Sequence, residues 1–241
     1  MIKHTLSVIA LVAAAAFALP AIASEGADLP SAQANIRDTA SLQRGAALFI
    51  NYCSGCHSLK YLRYSRMAED LGLTEQQVMD NLNFTGEKFG DPIVSTMPVA
   101  DATKWFGKAP PDLSLEVRAK GADWVYNYLR SFYLDPSRPV GWNNTVFPNA
   151  SMPNVLWSLQ GVQVAEHGEH EGAVKLSLAQ PGAMTPAEFD GAARDITAFL
   201  EYAAEPAALQ RRSIGVWVLL YLALFTLLAY FLKREFWKDV H

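Results

Sequence analysis

The chain has 241 residues, 51% of them hydrophobic and 18% charged, with a formal net charge of −4. That is too apolar for a disordered chain, and it places some of the apolar mass in a bilayer rather than in a plain water-soluble domain. Once the terminal segments are set aside, roughly 150 to 180 residues suffice for one well-buried core, and the acidic balance gives no reason to expect a nucleic acid among the partners.

Residues 1–23 begin with the cationic Lys3 and His4, run through an Ala-rich apolar stretch and end in the small residues Ala21 and Ala23. This is the layout of a secretory signal, and it predicts an exported chain that starts at Ser24 or Glu25. Its removal takes away one lysine and no acid, leaving 19 basic against 24 acidic residues. Periodicity then predicts a helix over residues 42–51, carrying Leu42, Ala46, Leu48, Phe49 and Tyr52 on its apolar side. A second helix is expected over 74–82, with Thr74 as N-cap followed by Glu75 and Gln77. Residues 83–111 are rich in Gly, Pro, Asp and Thr and read as one long irregular loop, of the kind that carries function.

A third helix is expected over 113–129, turning Leu115, Val117, Trp124, Tyr128 and Leu129 toward a core. Residues 135–153 read as loop again and contain Phe147-Pro148-Asn149-Ala150-Ser151-Met152-Pro153. Alternation at 162–164 and 174–178, around a polar stretch at 166–172, predicts a short β-hairpin. Thr185, Pro186 and Glu188 are the capping-box signature of a last soluble helix that runs to about residue 204. Residues 214–232 form an apolar run long enough to span roughly 30 Å of hydrocarbon. Arg211, Arg212, Lys233, Arg234 and Lys238 flank it, and Trp217, Tyr221, Tyr230, Phe236 and Trp237 stand at the interfaces. With the signal at the other end, the expected order is signal 1–23, periplasmic domain 24–210, membrane anchor 211–232 and cytoplasmic tail 233–241.

The chain has two cysteines, both in Cys53-Ser54-Gly55-Cys56-His57. Two thiols at this spacing, followed at once by histidine, are the attachment pattern of a c-type haem: each thiol adds to one vinyl group, and the imidazole lies on the haem face within reach of the iron. Export agrees with this, since c-type attachment takes place outside the cytoplasmic membrane. A zinc site lacks a second cysteine pair, a thioredoxin-like pair lacks its βαβ setting, and a disulfide remains as the bland alternative. His167 and His170 are conceivable metal ligands, although an exposed polar hairpin tip accounts for them better.

Electron transfer calls for a sixth iron ligand, and a thioether sulfur raises the reduction potential. Met67 and Met79 fall on helical stretches. Met97 and Met152 lie in loops and each precedes a proline, which holds it extended. Loop position puts Met152 first, with Met97 and Met184 behind it, each weighed against a role as core filler.

The motif at 53–57 with Tyr61 and Arg63 after it, Ala109-Pro110-Pro111-Asp112-Leu113-Ser114 followed by Val117-Arg118-Ala119-Lys120, the Met152 segment, and Ala203-Ala204-Glu205-Pro206 before the anchor together resemble the cytochrome c1 family of the cytochrome bc1 complex. The likeness covers nearly the whole mature chain. It implies a mainly α, class I cytochrome c fold with long loops and a short β-hairpin, plus one C-terminal transmembrane helix. It also implies one covalent haem c, with Cys53 and Cys56 as its attachment points and His57 and Met152 as its axial ligands. Pro110 and Pro111 would line the haem edge, and a basic residue would pair with a propionate. Many members carry a second arginine where this chain has Lys120, a point charge without a bidentate fork, so Arg118 and Lys120 both stand as candidates.

The implied role is to take single electrons from a Rieske iron–sulfur protein, beside cytochrome b in a dimeric complex, and to pass them to a c-type cytochrome at the bacterial inner membrane. No catalytic acid, base or nucleophile is required for that. The alternatives are a tethered cytochrome feeding a terminal oxidase or nitrogen-oxide reductase, and a haem enzyme with a displaceable sixth ligand.

Overall fold

A computed structural model describes residues 29–167 and 174–239. The predicted signal segment, the tip of the predicted hairpin with His170, and the side chain of His167 lie outside the described residues. Helix α1 (Thr39–Tyr52) starts a turn earlier than periodicity suggested, because the Asp38 side chain accepts from the Ser41 amide and caps it. Strand β1 (Leu59–Arg63) follows, then α2 (Tyr64–Leu71) and α3 (Glu75–Asn81). The expected Thr74 cap is present as a reciprocal capping box with Gln77.

Residues 83–111 are not one irregular loop. They hold β2 (Pro92–Ile93), which pairs antiparallel with β1, and helix α4 (Val99–Phe106). That helix is 8 residues long, buries little beyond Ala102 and is closed by Gly107 at φ 79°, so its apolar positions Val99, Ala102 and Phe106 span barely two turns and do not stand out among the Gly, Pro, Asp and Thr around them.

The single helix expected over 113–129 is two, α5 (Glu116–Lys120) and α6 (Ala122–Arg130). Gly121, at φ 92° and ψ 152°, breaks the helix between them. The side-chain pattern survives the break because Val117, Val125 and Leu129 still reach the core, but Leu115 does not and is 45% exposed. The loop over 135–153 opens as a hairpin turn, with β3 (Phe132–Leu134) paired antiparallel to β4 (Trp142–Asn144). After α7 (Trp157–Gln160), β5 (Gly161–His167) and β6 (Val174–Pro181) form the expected hairpin, longer than the alternation showed. Among the described residues the strands make three separate two-stranded ladders, so the fold is mainly helical.

Helix α8 (Pro186–Ala204) has the predicted N-cap Thr185, Pro186 in its first turn and the Glu188 capping box. It is the spine of the core, packing against α1 and also meeting α5, α6 and β1. The α1 crossing is close because small residues face it. At Gly45 a Cβ would run into the Asp195 carbonyl and the Phe199 side chain, so only glycine permits this approach. Phe49 and Phe199 fill the crossing with ring centroids 5.7 Å apart, both fully buried, each burial stabilising by about 2 to 3 kcal/mol. At its edge Asp195 accepts from Ser41 and pairs with Arg44 at 2.6 Å.

Helix α9 (Ala208–Phe236) carries the apolar span Ser213–Phe236. It is long and apolar enough to cross a bilayer, its most apolar stretch is wholly exposed, and it fits a single-pass membrane anchor.

Candidate haem-binding site

The Cys53–His57 motif sits where α1 ends. Cys53 is the C-cap, its amide bonded to the Phe49 carbonyl, and the Cys53 carbonyl in turn accepts from the amides of Cys56 at 3.0 Å and His57 at 2.8 Å. The chain therefore folds into one tight turn that gathers both sulfurs and the imidazole. Ser54 donates to the Ile50 carbonyl at 2.7 Å and ties the turn back to the helix. Both thiols are free. Burial pushes the Cys53 thiol up to about 12 and raises Cys56 as well, so both are held in the protonated form.

His57 is buried, and its Nδ1 lies 2.7 Å from the Pro111 carbonyl oxygen. A carbonyl only accepts, so Nδ1 carries the proton and Nε2 keeps the lone pair. Burial lowers the His57 pKa, against the opposing pull of the Pro111 hydrogen bond, and the ring stays neutral. A neutral imidazole with one nitrogen oriented by a carbonyl and the other free is the form a metal requires.

The Pro111 carbonyl is itself held in place. Asp112 accepts from the Lys60 amide at 3.0 Å and from the Ser114 amide at 2.9 Å. Ser114 accepts from the Tyr61 amide at 3.2 Å, and Leu113 donates to the Ser58 carbonyl at 2.9 Å. Residues 111–114 are thus laced to residues 57–61. Ser95 adds a second tie, donating to the Gly55 carbonyl at 2.8 Å and receiving the Met97 amide at 3.2 Å. Met97 accordingly belongs to the loop that braces the cysteine turn.

Met152 sits on a different support. The buried Asn143 accepts from the amides of Asn144 and Asn149. Asn144, 1% exposed, accepts from the amides of Val146 and Phe147 and donates to the Tyr128 carbonyl at 2.8 Å. Asn149 takes the left-handed conformation at φ 64°, which asparagine tolerates better than most residues, and turns the chain toward Met152. The Tyr128 hydroxyl lies 3.5 Å from the Met152 sulfur, and burial raises the pKa of this phenol. Its ring stacks on Trp124 at 5.0 Å and meets Phe132 edge-on at 5.0 Å.

The structure therefore brings Cys53, Cys56, His57 and Pro111 together directly. Pro110 precedes that segment, half-buried. Lys120 lies 5.5 Å over the Trp124 ring, whereas Arg118 is exposed on α5. Met67 is fully buried in the core, and Met184 packs at the core's edge. Among the described residues no group of three or more His, Cys, Asp or Glu side chains gathers where it could share a metal ion. A porphyrin brings its own four nitrogens, so two thiols and one oriented imidazole on a single turn are the groups that fit a covalently attached haem, with Met152 on its separate support as the candidate thioether. Sequence reasoning missed the supports: Asn143, Asn144, Ser95 and Tyr128. The one available signal was the Asn143-Asn144 pair just ahead of the Met152 segment, since buried amides commonly staple loops.

Comparison with known proteins agrees with a covalently bound haem c. The model of the Cytochrome C1 family matches residues 32–240. A protein named cytochrome c1 from Allochromatium vinosum is 51% identical over 222 residues, covering 90% of this chain and 91% of its own length. One from Nitrosomonas europaea named ammonia monooxygenase gamma subunit is 44% identical over 204 residues, 85% of each chain. A cytochrome b/c1 of Bradyrhizobium diazoefficiens is 27% identical over 97% of this chain and 40% of its own.

Proposed function

The chain belongs to the cytochrome c1 family, and from that premise we propose that it takes single electrons from a Rieske iron–sulfur protein and passes them to a c-type cytochrome. It does so beside cytochrome b in a quinol–cytochrome c oxidoreductase, with its haem domain on the periplasmic side of the inner membrane. The family carries one covalent haem c, and its members are electron-transfer subunits. Likeness to both cytochrome c1 and a cytochrome b/c1 chain supports membership of a bc1 complex.

In this reading Cys53 and Cys56 would hold the haem through two thioether links, and His57 and Met152 would bind its iron. Pro110 and Pro111 would pack against it, and Arg118 or Lys120 would pair with its carboxylates. The bound haem supplies a one-electron ferric–ferrous couple. The chain's own residues hold and tune it. Pro111 fixes the imidazole tautomer, the 111–114 lacing keeps that carbonyl in place, and the Asn143–Asn144 staple presents the thioether. No proton transfer or nucleophile is asked of any side chain. The observation that carries the reading is the 2.7 Å contact of His57 Nδ1 with the Pro111 carbonyl, directly beside two free thiols.

The test is quinol-driven reduction of the c-haem absorbance band in isolated membranes, with and without an inhibitor of quinol oxidation at cytochrome b. Reduction blocked by the inhibitor is expected. Inhibitor-insensitive reduction points to another donor, and absence of a c-haem band removes the haem reading altogether. The relative named ammonia monooxygenase gamma subunit supports one second reading, service to an oxygenase or oxidase complex. Co-purification with such a catalytic subunit, and not with cytochrome b and a Rieske protein, would favour it.

A further inference from the structure

The contact between Tyr128 and Met152 is unusual in its supports. Tyr128 meets the Met152 segment at both ends of the residue: its carbonyl receives the Asn144 side chain at 2.8 Å, and its hydroxyl reaches the sulfur at 3.5 Å. The ring between those ends is clamped by Trp124 and Phe132. Rotation of the phenol away from the sulfur is therefore opposed by packing on two sides. Sulfur is a weak acceptor, so a donor aimed at it from a prearranged ring counts for more than the isolated strength of the bond.

We propose that Tyr128 is a positioning residue for the haem iron, its hydroxyl donating to one lone pair of Met152 so that the other is turned toward the metal and the potential is raised. This rests on the reading that Met152 is the axial ligand. A thioether has two sulfur lone pairs. Donation by the phenol to one draws electron density from the sulfur and weakens what it gives to the iron through the other. Ferric iron needs that density more than ferrous iron does, so the reduced form gains and the potential rises. The same bond selects one of the two lone pairs for coordination and so fixes the handedness of the bound sulfur.

The experiment uses the holoprotein in its native membranes. Redox titration of the c-haem band is combined with the weak sulfur-to-ferric-iron charge-transfer band, in the parent and in Tyr128→Phe, Tyr128→Leu and Met152→Leu. Tyr128→Phe keeps the ring and its packing and removes only the hydroxyl. It is expected to shift the reduction equilibrium about fivefold toward the ferric form, a potential lower by about 40 mV at 59 mV per tenfold for one electron, with the charge-transfer band displaced and the haem still attached. Site-specific replacement of Tyr128 by a ring-fluorinated tyrosine, a stronger donor, is expected to move the potential the opposite way. A potential unchanged in Tyr128→Phe, whether or not Tyr128→Leu moves it, overturns the proposal, because the ring then only packs. Should Tyr128→Phe fail to accumulate haem protein, the fluorinated chain decides alone, and an unmoved potential there overturns the proposal. A charge-transfer band that survives Met152→Leu shows instead that the ligand reading is wrong, and the proposal falls with it.

Discussion

The end of α1 and the loop over residues 143–153 each have to present one candidate iron ligand, and they hold it by opposite means. His57 follows a helix locked against α8 by an apolar crossing, with Gly45, Phe49 and Phe199 at its centre. Met152 sits on a segment whose backbone amides are gathered by two buried asparagines and whose sulfur meets one phenol. An apolar crossing spreads its energy over many contacts, so no single polar group matters greatly, but added volume does. A stapled loop concentrates its energy in a few hydrogen bonds, so volume is tolerated while the loss of one amide is not.

The sharpest way to break the first region is to add one carbon. Gly45→Ala puts a Cβ into the Asp195 carbonyl, a backbone atom with no side-chain torsion to relieve the clash. The expected cost is about 3 kcal/mol, the upper end for overpacking a core, read as a large drop in the thermal unfolding midpoint of the detergent-solubilised holoprotein. The second region breaks differently. Asn144→Ala strips the acceptor from the amides of Val146 and Phe147 and the donor from the Tyr128 carbonyl, all near a side chain only 1% exposed. A loss of about 2 kcal/mol is expected, with the Met152 charge-transfer band weakened. Asn144→Asp keeps both acceptor bonds but sets a buried carboxylate against the Tyr128 carbonyl, so it is expected to cost at least as much as Ala near about pH 7. An Asn144→Ala protein with an unaltered band would show that the loop holds Met152 by some other contact.

The same contrast explains what could be read from the chain alone. The region built on burial was largely legible. Helix α8 appears with its predicted cap, first-turn proline and end, the Thr74 cap is where it was expected, and the β5–β6 hairpin follows its alternation. Burial leaves a periodic trace in the residue types, and caps leave a local one. The region built on single hydrogen bonds was not legible. Nothing in the spacing of Asn143, Asn144 and Ser95 says which distant amide each will bind. Helix α4 escaped because its 8 residues are too short a window for its apolar positions to stand out, and the break at Gly121 escaped because the apolar period runs on across it. The candidate attachment cysteines Cys53 and Cys56 and the candidate ligand His57 stand out in the sequence because haem attachment fixes their spacing, whereas the Pro111 carbonyl that orients His57 carries no side-chain signal.

The smallest expected effect tests whether the legible region owes anything to charge. At the N-terminus of α8 the Glu188 carboxylate accepts from the Thr185 amide and hydroxyl, each at 2.8 Å, and the backbone bond, followed by the hydroxyl bond, lowers its pKa below the ordinary 4.5. A carboxyl whose pKa falls on folding adds stability in full above the unfolded value and loses it as the pH drops through the folded one. Glu188→Gln keeps a side-chain oxygen for the reciprocal bond and removes the charge beside the helix N-terminus. The parent is therefore expected to unfold at a slightly higher temperature than Glu188→Gln near about pH 7, with the gap closing toward about pH 3. Comparing the two proteins at each pH cancels the titration of the other carboxylates. A gap of the same size at both ends would mean that the cap works through geometry alone, and that even the polar edge of the α8 spine owes its stability to shape rather than charge.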